Sequence, residues 1–241
     1  MKKVALVTGA TSGIGKAIAL RLANEDFNVV VCGRRKDRLE ALAEGNENIH
    51  PQRCDVRSLS HIRSLFSDIR KRWGGLHVLV NNAGVGYKGT FFDSDPEQWR
   101  EMLEVNVLAL SVCTAEALSD KNTFKIENII NIGSMAGHRV PNQGGMYCAT
   151  KFAVSALTES LRRQLREKKQ EETRITQISP GMVESEFFDH YLGDSQAATQ
   201  LMNEQKLLTP QDVADAVWFA IQAPKHVNIG DIQLRSVQQD S

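Results

Sequence analysis

The chain has no excess of either charge: 29 Lys and Arg against 29 Asp and Glu leave a formal net charge of zero. That balance removes the electrostatic case for a nucleic-acid partner or an anionic membrane. Cysteine is scarce. The four residues Cys32, Cys54, Cys113 and Cys148 show no CxxC pair and no Cys/His ligand spacing, which predicts buried, reduced thiols as in a cytoplasmic protein. The six histidines also lack metal-ligand spacing, so no metal is expected. No run approaches the ~20 apolar residues of a membrane span. The apolar stretch within MKKVALVTGATSG stops at Thr-Gly after about five residues, which does not make a signal peptide. No Pro/Gly/Ser-rich linker, repeat or low-complexity segment divides the sequence, so one domain over residues 1–241 is the economical expectation.

What is present is alternation, in a chain that is 41% hydrophobic and long enough for a substantial core. Short apolar runs (VALVT at 4–8, NVVVC at 28–32, a weaker IHPQRCDV, VLVNNAG at 78–84, IENIINIGS, RITQISPG and NIGDIQLR) read as strands. Between them lie helix-period stripes: Ile14, Ile18 and Leu22; DRLEALAE; Ile62, Leu65, Phe66, Ile69 and Trp73; Trp99, Met102, Leu103 and Leu110 after an Asp95 cap and Pro96; Ala153, Leu157, Leu161 and Leu165 in a long helix from Tyr147 to about Lys168; and Val213, Val217 and Ile221 after a Thr209 cap. Trp99 and Trp218 are expected in helix interfaces, and REKKQEETR as a solvated helix end and turn. Strands alternating with helices imply parallel pairing through right-handed crossovers, hence an α/β, doubly wound sheet. Residues 184–208, with FFDHYL inside, interrupt the alternation and are expected to be a lid over a site.

TGATSGIG follows the first strand and opens the first helix. Gly9 permits a tight turn, Gly13 a close backbone approach to a pyrophosphate, and Gly15 close helix–strand packing, while Thr11, Ser12 and Ile14 complete the cradle. The spacing is GxxxGxG, and an ordinary glycine-rich turn is the alternative. At the end of the second strand an acidic residue would select NAD by bonding the ribose hydroxyls. Here Gly33, Arg34 and Arg35 stand in that place, and a guanidinium suits a 2′-phosphate, so NADP is expected. Asp55 and Val56 are placed to touch the adenine. Asn82, Ala83 and Gly84 form a small-residue loop beside the cofactor.

SMAGHRVPNQGGMYCATK brings together a hydroxyl, a phenol and an ammonium. Tyr147 and Lys151 are one helical turn apart and share a face. Moving a hydroxyl proton at neutral pH needs a base, and a free Tyr at about 10 is too weak. Lys151 is expected to lower the Tyr147 pKa, and Ser134 to hold the substrate oxygen. His138 and Arg139 follow Ser134 closely, beside the substrate; Arg139 reads as a surface arginine, with a substrate-carboxylate partner as the alternative.

In order along the chain, TGATSGIG, NNAG, Asn106 in EVNVL, Ser134 in NIGSMAG, YCATK and SPGMVES resemble the short-chain dehydrogenase/reductase family, from Val4 to about Val183. The resemblance implies a Rossmann-type sheet of about seven strands with helices on both faces. It implies nicotinamide-dependent interconversion of an alcohol and a carbonyl, and homo-oligomers, dimers or tetramers. Asn106, Ser134, Tyr147 and Lys151 take the catalytic positions, with Asn106 anchoring a water that links Lys151 to solvent. Tyr147 and Lys151 also border the cofactor, and Pro180, Gly181, Val183 and Ser185 close over its nicotinamide. NVLALSVCT, GHRV and NIGDIQLR are similar to farnesol dehydrogenases and 17-ketosteroid reductases. GRRKDRL, LTPQDVADAVW and KHVNI are similar to NADP-dependent 3-hydroxy-acid dehydrogenases of the serine type. The substrate is thus a hydroxy acid, a terpenoid alcohol or a steroid. The alternatives are an NAD-dependent steroid or acyl reductase and, from another class, a non-catalytic nucleotide-sensing protein. The intact Ser134, Tyr147 and Lys151 oppose the sensor.

Overall fold

A computed structural model describes the chain apart from residues 1, 120–125, 142, 171, 195, 197–198, 201–205 and 240–241. Part of the expected lid at 184–208 therefore lies outside the described residues. The elements are β1 (Val4–Thr8), α1 (Gly13–Asn24), β2 (Asn28–Gly33), α2 (Lys36–Ala43), β3 (Ile49–Arg53), α3 (Leu59–Trp73), β4 (Val78–Asn81) and α4 (Pro96–Leu103). Then follow a π-helical turn (Glu104–Ala109), α5 (Leu110–Leu118), β5 (Asn128–Ile132), α6 (Gly145–Glu167), β6 (Arg174–Pro180), α7 (Phe187–Leu192), α8 (Pro210–Gln222) and β7 (Asp231–Leu234).

The strands form one seven-stranded sheet in the order β3-β2-β1-β4-β5-β6-β7, and every pairing is parallel. This is the doubly wound Rossmann-type arrangement that the alternation predicts. Strand periodicity divides its core. Ala5, Val7, Val29, Val31, Val78 and Val80 face α1, α2 and α8, meeting Ile18, Leu22, Leu39, Val213 and Val217. Val4, Leu6, Val30 and Leu79 face α3, α5 and α6, meeting Ile62, Leu65, Phe66, Ile69, Cys113 and Leu165. Central strands buried on both faces must be apolar throughout, which is why they read as continuous runs. β3 carries Pro51, tolerated because the strand is at an edge. All four thiols are buried and free.

Local signals place the ends. The Asp95 carboxylate accepts from the Glu97 N–H at 2.9 Å, with Pro96 opening α4. Thr209 and Asp212 form a capping box on α8. Some expectations need correction. On α6 the buried residues are Cys148, Thr150, Lys151, Val154, Thr158 and Leu165, whereas Ala153 and Leu157 are only half-buried. The inward face is rotated because it must carry Lys151 and Thr150 toward the strand ends. Leu103 is exposed. Trp218 does pack between helices, edge-on to Phe27 and under Arg21, but Trp99 meets the loop residue Phe91. Arg174, the last residue of REKKQEETR, is buried, and its guanidinium donates to the carbonyls of Ile221, Ala223 and Pro224. It caps the C-terminal end of α8, where orphan carbonyls and the helix dipole favour a cation.

Candidate active site

Strand order reverses where β1 lies between β2 and β4, and in open α/β sheets the ligand crevice lies at the carboxyl ends of the strands beside that reversal. A cavity of about 570 Å³ opens there, within the range of cofactor and ligand sites. Every residue named above for the nucleotide and for proton transfer lines it, Asn106 excepted.

The floor is the glycine turn. Gly9 has φ +67°, and a Cβ on it would lie 2.8 Å from the Ala83 Cα. A Cβ on Gly15 would meet the Gly9 carbonyl oxygen at 2.5 Å. These contacts are close because the β4 loop is laced onto the turn. The Thr8 hydroxyl accepts from the N–H groups of Asn82 and Ala83, both at 3.0 Å, and the Asn82 amide donates to the carbonyls of Thr8 (2.8 Å) and Gly9 (3.1 Å). Asn82 thus shapes the turn as well as bordering the groove. Ser12, the N-cap of α1, makes no side-chain capping bond, and the first intrahelical bond is from the Lys16 N–H. The N–H groups of Gly13, Ile14 and Gly15 therefore lack an internal partner and face the groove, as a pyrophosphate requires. The groove fits a dinucleotide.

At the nucleotide end the arginines are not equivalent. Arg34 is exposed, with its guanidinium 3.6 Å from Glu101. Arg35 is turned inward: its guanidinium donates to the Thr11 hydroxyl (3.1 Å from Nε), the Ser12 hydroxyl (2.9 Å) and the Glu186 carboxylate (2.8 Å). Asp55 is chelated by Arg57 (2.7 Å from Nη2), which holds its carboxyl at about 2. Arg57, Glu101 and Tyr87 also line the cavity and escaped the sequence reading, since no short motif carries them.

At the other end stand Ser134, Tyr147 and Lys151. The Ser134 hydroxyl stands beside the Tyr147 phenol and favours its ionised form. Lys151 is buried and donates to the Ile132 carbonyl at 3.0 Å, with Nζ 5.8 Å from the centre of the Tyr147 ring. The expected lowering of the Tyr147 pKa does not occur in this state. Burial dominates both groups, pushing the phenol up and Lys151 down from 10.5 to about 8, because each loses water without gaining the other as a direct partner. Asn106 sits behind the cavity in the π-helical turn. Its Oδ1 accepts from the Val85 N–H (2.9 Å), and its Nδ2 donates to the Val85 carbonyl (2.8 Å) and the Thr150 hydroxyl (3.0 Å). It ties the β4 loop to α6, one residue before Lys151, with its amide committed to protein groups.

The roof comes from α7. Phe187 and Tyr191 stack at 5.7 Å and 18°, and each ring centre is 5.5 Å from that of Tyr147. Gly86 makes room: a Cβ there would meet Phe187 Cζ at 2.5 Å. The aromatic density of FFDHYL was the available signal. The C-terminal Gln239 also lines the cavity, accepting from the Met182 N–H at 3.0 Å, and nothing in the sequence pointed to it. Arg139 lines the cavity, and its Nη2 is buried with no partner among the described residues. His138 does not line it. Its Nε2 turns to Ser179 (3.0 Å) and Asp231 (3.2 Å) at the β6–β7 side, held there by a buried polar network. Among the described residues no group of His, Cys, Asp and Glu is arranged to hold a metal, and no helix is long and apolar enough to cross a membrane.

A parallel seven-stranded sheet with a glycine-floored groove at its strand reversal defines a Rossmann-type nucleotide-binding protein. The chain belongs to the short-chain dehydrogenase/reductase family: residues 3–195 match the model of that family, described as short chain dehydrogenase. Dehydrogenase/reductase SDR family member 11 of Homo sapiens is 42% identical over 248 residues, covering 98% of this chain and 95% of that protein. The closed form of serine dehydrogenase complexed with NADP+ superposes with a TM-score of 0.91 at 32% identity, covering 99% of this chain and 96% of that one. A family member from Burkholderia phymatum in complex with NAD gives a TM-score of 0.83 at 27% identity, covering 96% and 88%. The protein is thus an oxidoreductase of a family in which solved members such as these two hold NADP+ or NAD.

Proposed function

We propose that the protein is an NADP-dependent oxidoreductase interconverting a secondary or allylic alcohol and its carbonyl, with Tyr147 as general acid/base. The observation that carries this is one cavity holding Ser134, Tyr147 and Lys151 at one end and Arg34 and Arg35 at the other, with orphan N–H groups between. When bound, the nicotinamide would supply or take up the hydride at the substrate carbon. Ser134 and Tyr147 address the substrate oxygen. In the reducing direction Tyr147, kept neutral by burial, donates its proton to that oxygen. The resulting phenolate is then stabilised by the Ser134 hydroxyl and the Lys151 ammonium. Asn106 holds the β4 loop and α6 in register. Phe187 and Tyr191 exclude water and favour an apolar substrate skeleton, while Arg139 suits an anionic group on it. The chain serves as one catalytic domain, roofed by α7. Exposed Leu103, Leu108 and Phe152 on the α4–α6 side support a homo-oligomer, which sedimentation velocity measures.

The deciding experiment is cofactor titration of the wild type and of Arg34→Ala and Arg35→Ala, followed by an NADP-linked panel of 3-hydroxy acids, farnesol and ketosteroids. A charge-assisted hydrogen bond contributes about 1.5–3 kcal/mol, so each loss should weaken NADPH roughly 10- to 100-fold and leave NADH unchanged. Equal affinity of the wild type for NADH and NADPH would refute the role of the arginines. The second reading, an NAD-using reductase, is favoured by one observation: the Arg35 donors are already engaged by Thr11, Ser12 and Glu186.

Lys151 also sets a pH dependence. Its folded pKa of about 8 lies below the ordinary 10.5, so it is an ammonium below that pH and a neutral amine above it. Tyr147 stays protonated throughout this range. For carbonyl reduction, kcat/KM should be flat below pH 8 and fall above it, as the charge that stabilises the phenolate is lost. A flat profile through pH 9 would remove Lys151 from this role.

A further inference from the structure

The cofactor groove contains an anion of the protein's own. Glu186 lies one residue before α7 and lines the cavity. Its Oε2 is 2.8 Å from Arg35 Nη1, its Oε1 pairs with Arg38 Nη1, and the Ser12 hydroxyl also bonds the carboxylate. Arg35 directs its Nε and Nη2 donors to Thr11 and Ser12, so four of its five N–H groups are engaged among the described residues. One carboxylate from the β6–α7 segment thus bridges two guanidinium groups at the start of α2, of which Arg35 lines the groove and Arg38 does not. These cations hold its pKa at about 2, so it stays charged at any working pH. Arg34, by contrast, has only a 3.6 Å contact with Glu101.

We propose that Glu186 is a specificity-determining residue for the cofactor: it occupies the Arg35 donors that a 2′-phosphate would take, with Arg38 holding the carboxylate in place from outside the groove, and so selectively weakens binding of the phosphorylated dinucleotide. This rests on the NADP reading above. A carboxylate and a phosphate dianion around the same guanidinium groups repel one another, so the phosphate must displace Glu186 or share its partners at a cost. A dinucleotide with a free 2′-hydroxyl meets no such competition. The arrangement also keeps Arg35 and Arg38 compensated when no phosphate is present. Because Phe187 is the next residue, the bridge fixes the start of the roof over Tyr147 to the nucleotide end of the groove.

The test is calorimetric titration of the full chain with NADPH, NADH, 2′,5′-ADP and AMP. The wild type is compared with Glu186→Gln, which keeps shape and removes charge, and Glu186→Lys, which reverses it. Thermal unfolding checks that both variants fold. The pair is solvent-exposed and so modest in strength, and Glu186→Gln should tighten NADPH and 2′,5′-ADP roughly 3- to 10-fold, with NADH and AMP unchanged. Glu186→Lys should tighten the phosphorylated ligands further. An unchanged NADPH affinity in both variants would overturn the proposal. So would equal weakening of NADPH and NADH, which would make Glu186 a strap that retains either cofactor. If Arg34→Ala and Arg35→Ala leave the NADPH/NADH ratio at its wild-type value, the NADP reading fails. If they lower it while Glu186→Gln does nothing, only the inference about Glu186 fails.

Discussion

Tyr147→Phe should abolish turnover while leaving NADPH binding within about twofold, because the only atom removed is the one assigned to proton transfer. The ring stays, so the contacts with Phe187 and Tyr191 at 5.5 Å survive and the roof keeps its shape. General acid–base catalysis by a positioned side chain contributes roughly 100- to 10,000-fold, so the loss in kcat should fall in or above that range. The measurement is steady-state reduction of the best carbonyl substrate, paired with NADPH titration of the same preparation. An unchanged rate would refute the proton-transfer assignment. A wild type that binds the cofactor but turns over nothing in the panel would favour the nucleotide-sensing alternative.

Gly15→Val should destroy nucleotide binding and destabilise the fold together. Its Cβ would lie 2.5 Å from the Gly9 carbonyl oxygen and 3.0 Å from the Ala10 Cα. Both obstacles are backbone, so no rotamer change relieves them, and α1 must move off the end of β1. Overpacking of this kind costs about 1–3 kcal/mol or more. The displaced helix also carries away the orphan N–H groups offered to the pyrophosphate, so NADPH affinity should fall by more than about 100-fold. Gly230→Ala is the control: nothing lies within 4 Å of its Cβ position, and both stability and binding should be nearly unchanged. Denaturant unfolding and calorimetry read the two variants. Wild-type affinity in Gly15→Val would mean that the glycine turn is not the dinucleotide floor.

Several features were legible in the sequence because their causes are local. Strands buried on both faces must be apolar along their length, so β1, β2 and β4 announce themselves. Helix starts at Asp95 and Thr209 need a side chain that accepts from N–H groups a few residues away. A turn squeezed between β1, α1 and the β4 loop admits glycine alone, and so leaves a pattern of residue types. The one-turn spacing of Tyr147 and Lys151 likewise fixes their common face before anything packs on it.

Other features depend on which residues meet across the fold. Arg35 looked free for a phosphate until Glu186, 151 positions later, was found on it. The Asn106 side-chain amide is spent on Val85 and Thr150, a partnership no local pattern announces. The electrostatics of Tyr147 and Lys151 were expected from their pairing but follow from burial of each, Tyr147 beneath Phe187 and Tyr191. Sequence by itself determined the sheet, its helices and the placing of the chemical groups, because burial periodicity, caps and tight turns act over a few residues. Tertiary structure alone decided which charges are paired, which hydroxyls are desolvated and what roofs the phenol. Those depend on the dielectric and the partners that distant segments supply, and no local pattern encodes them.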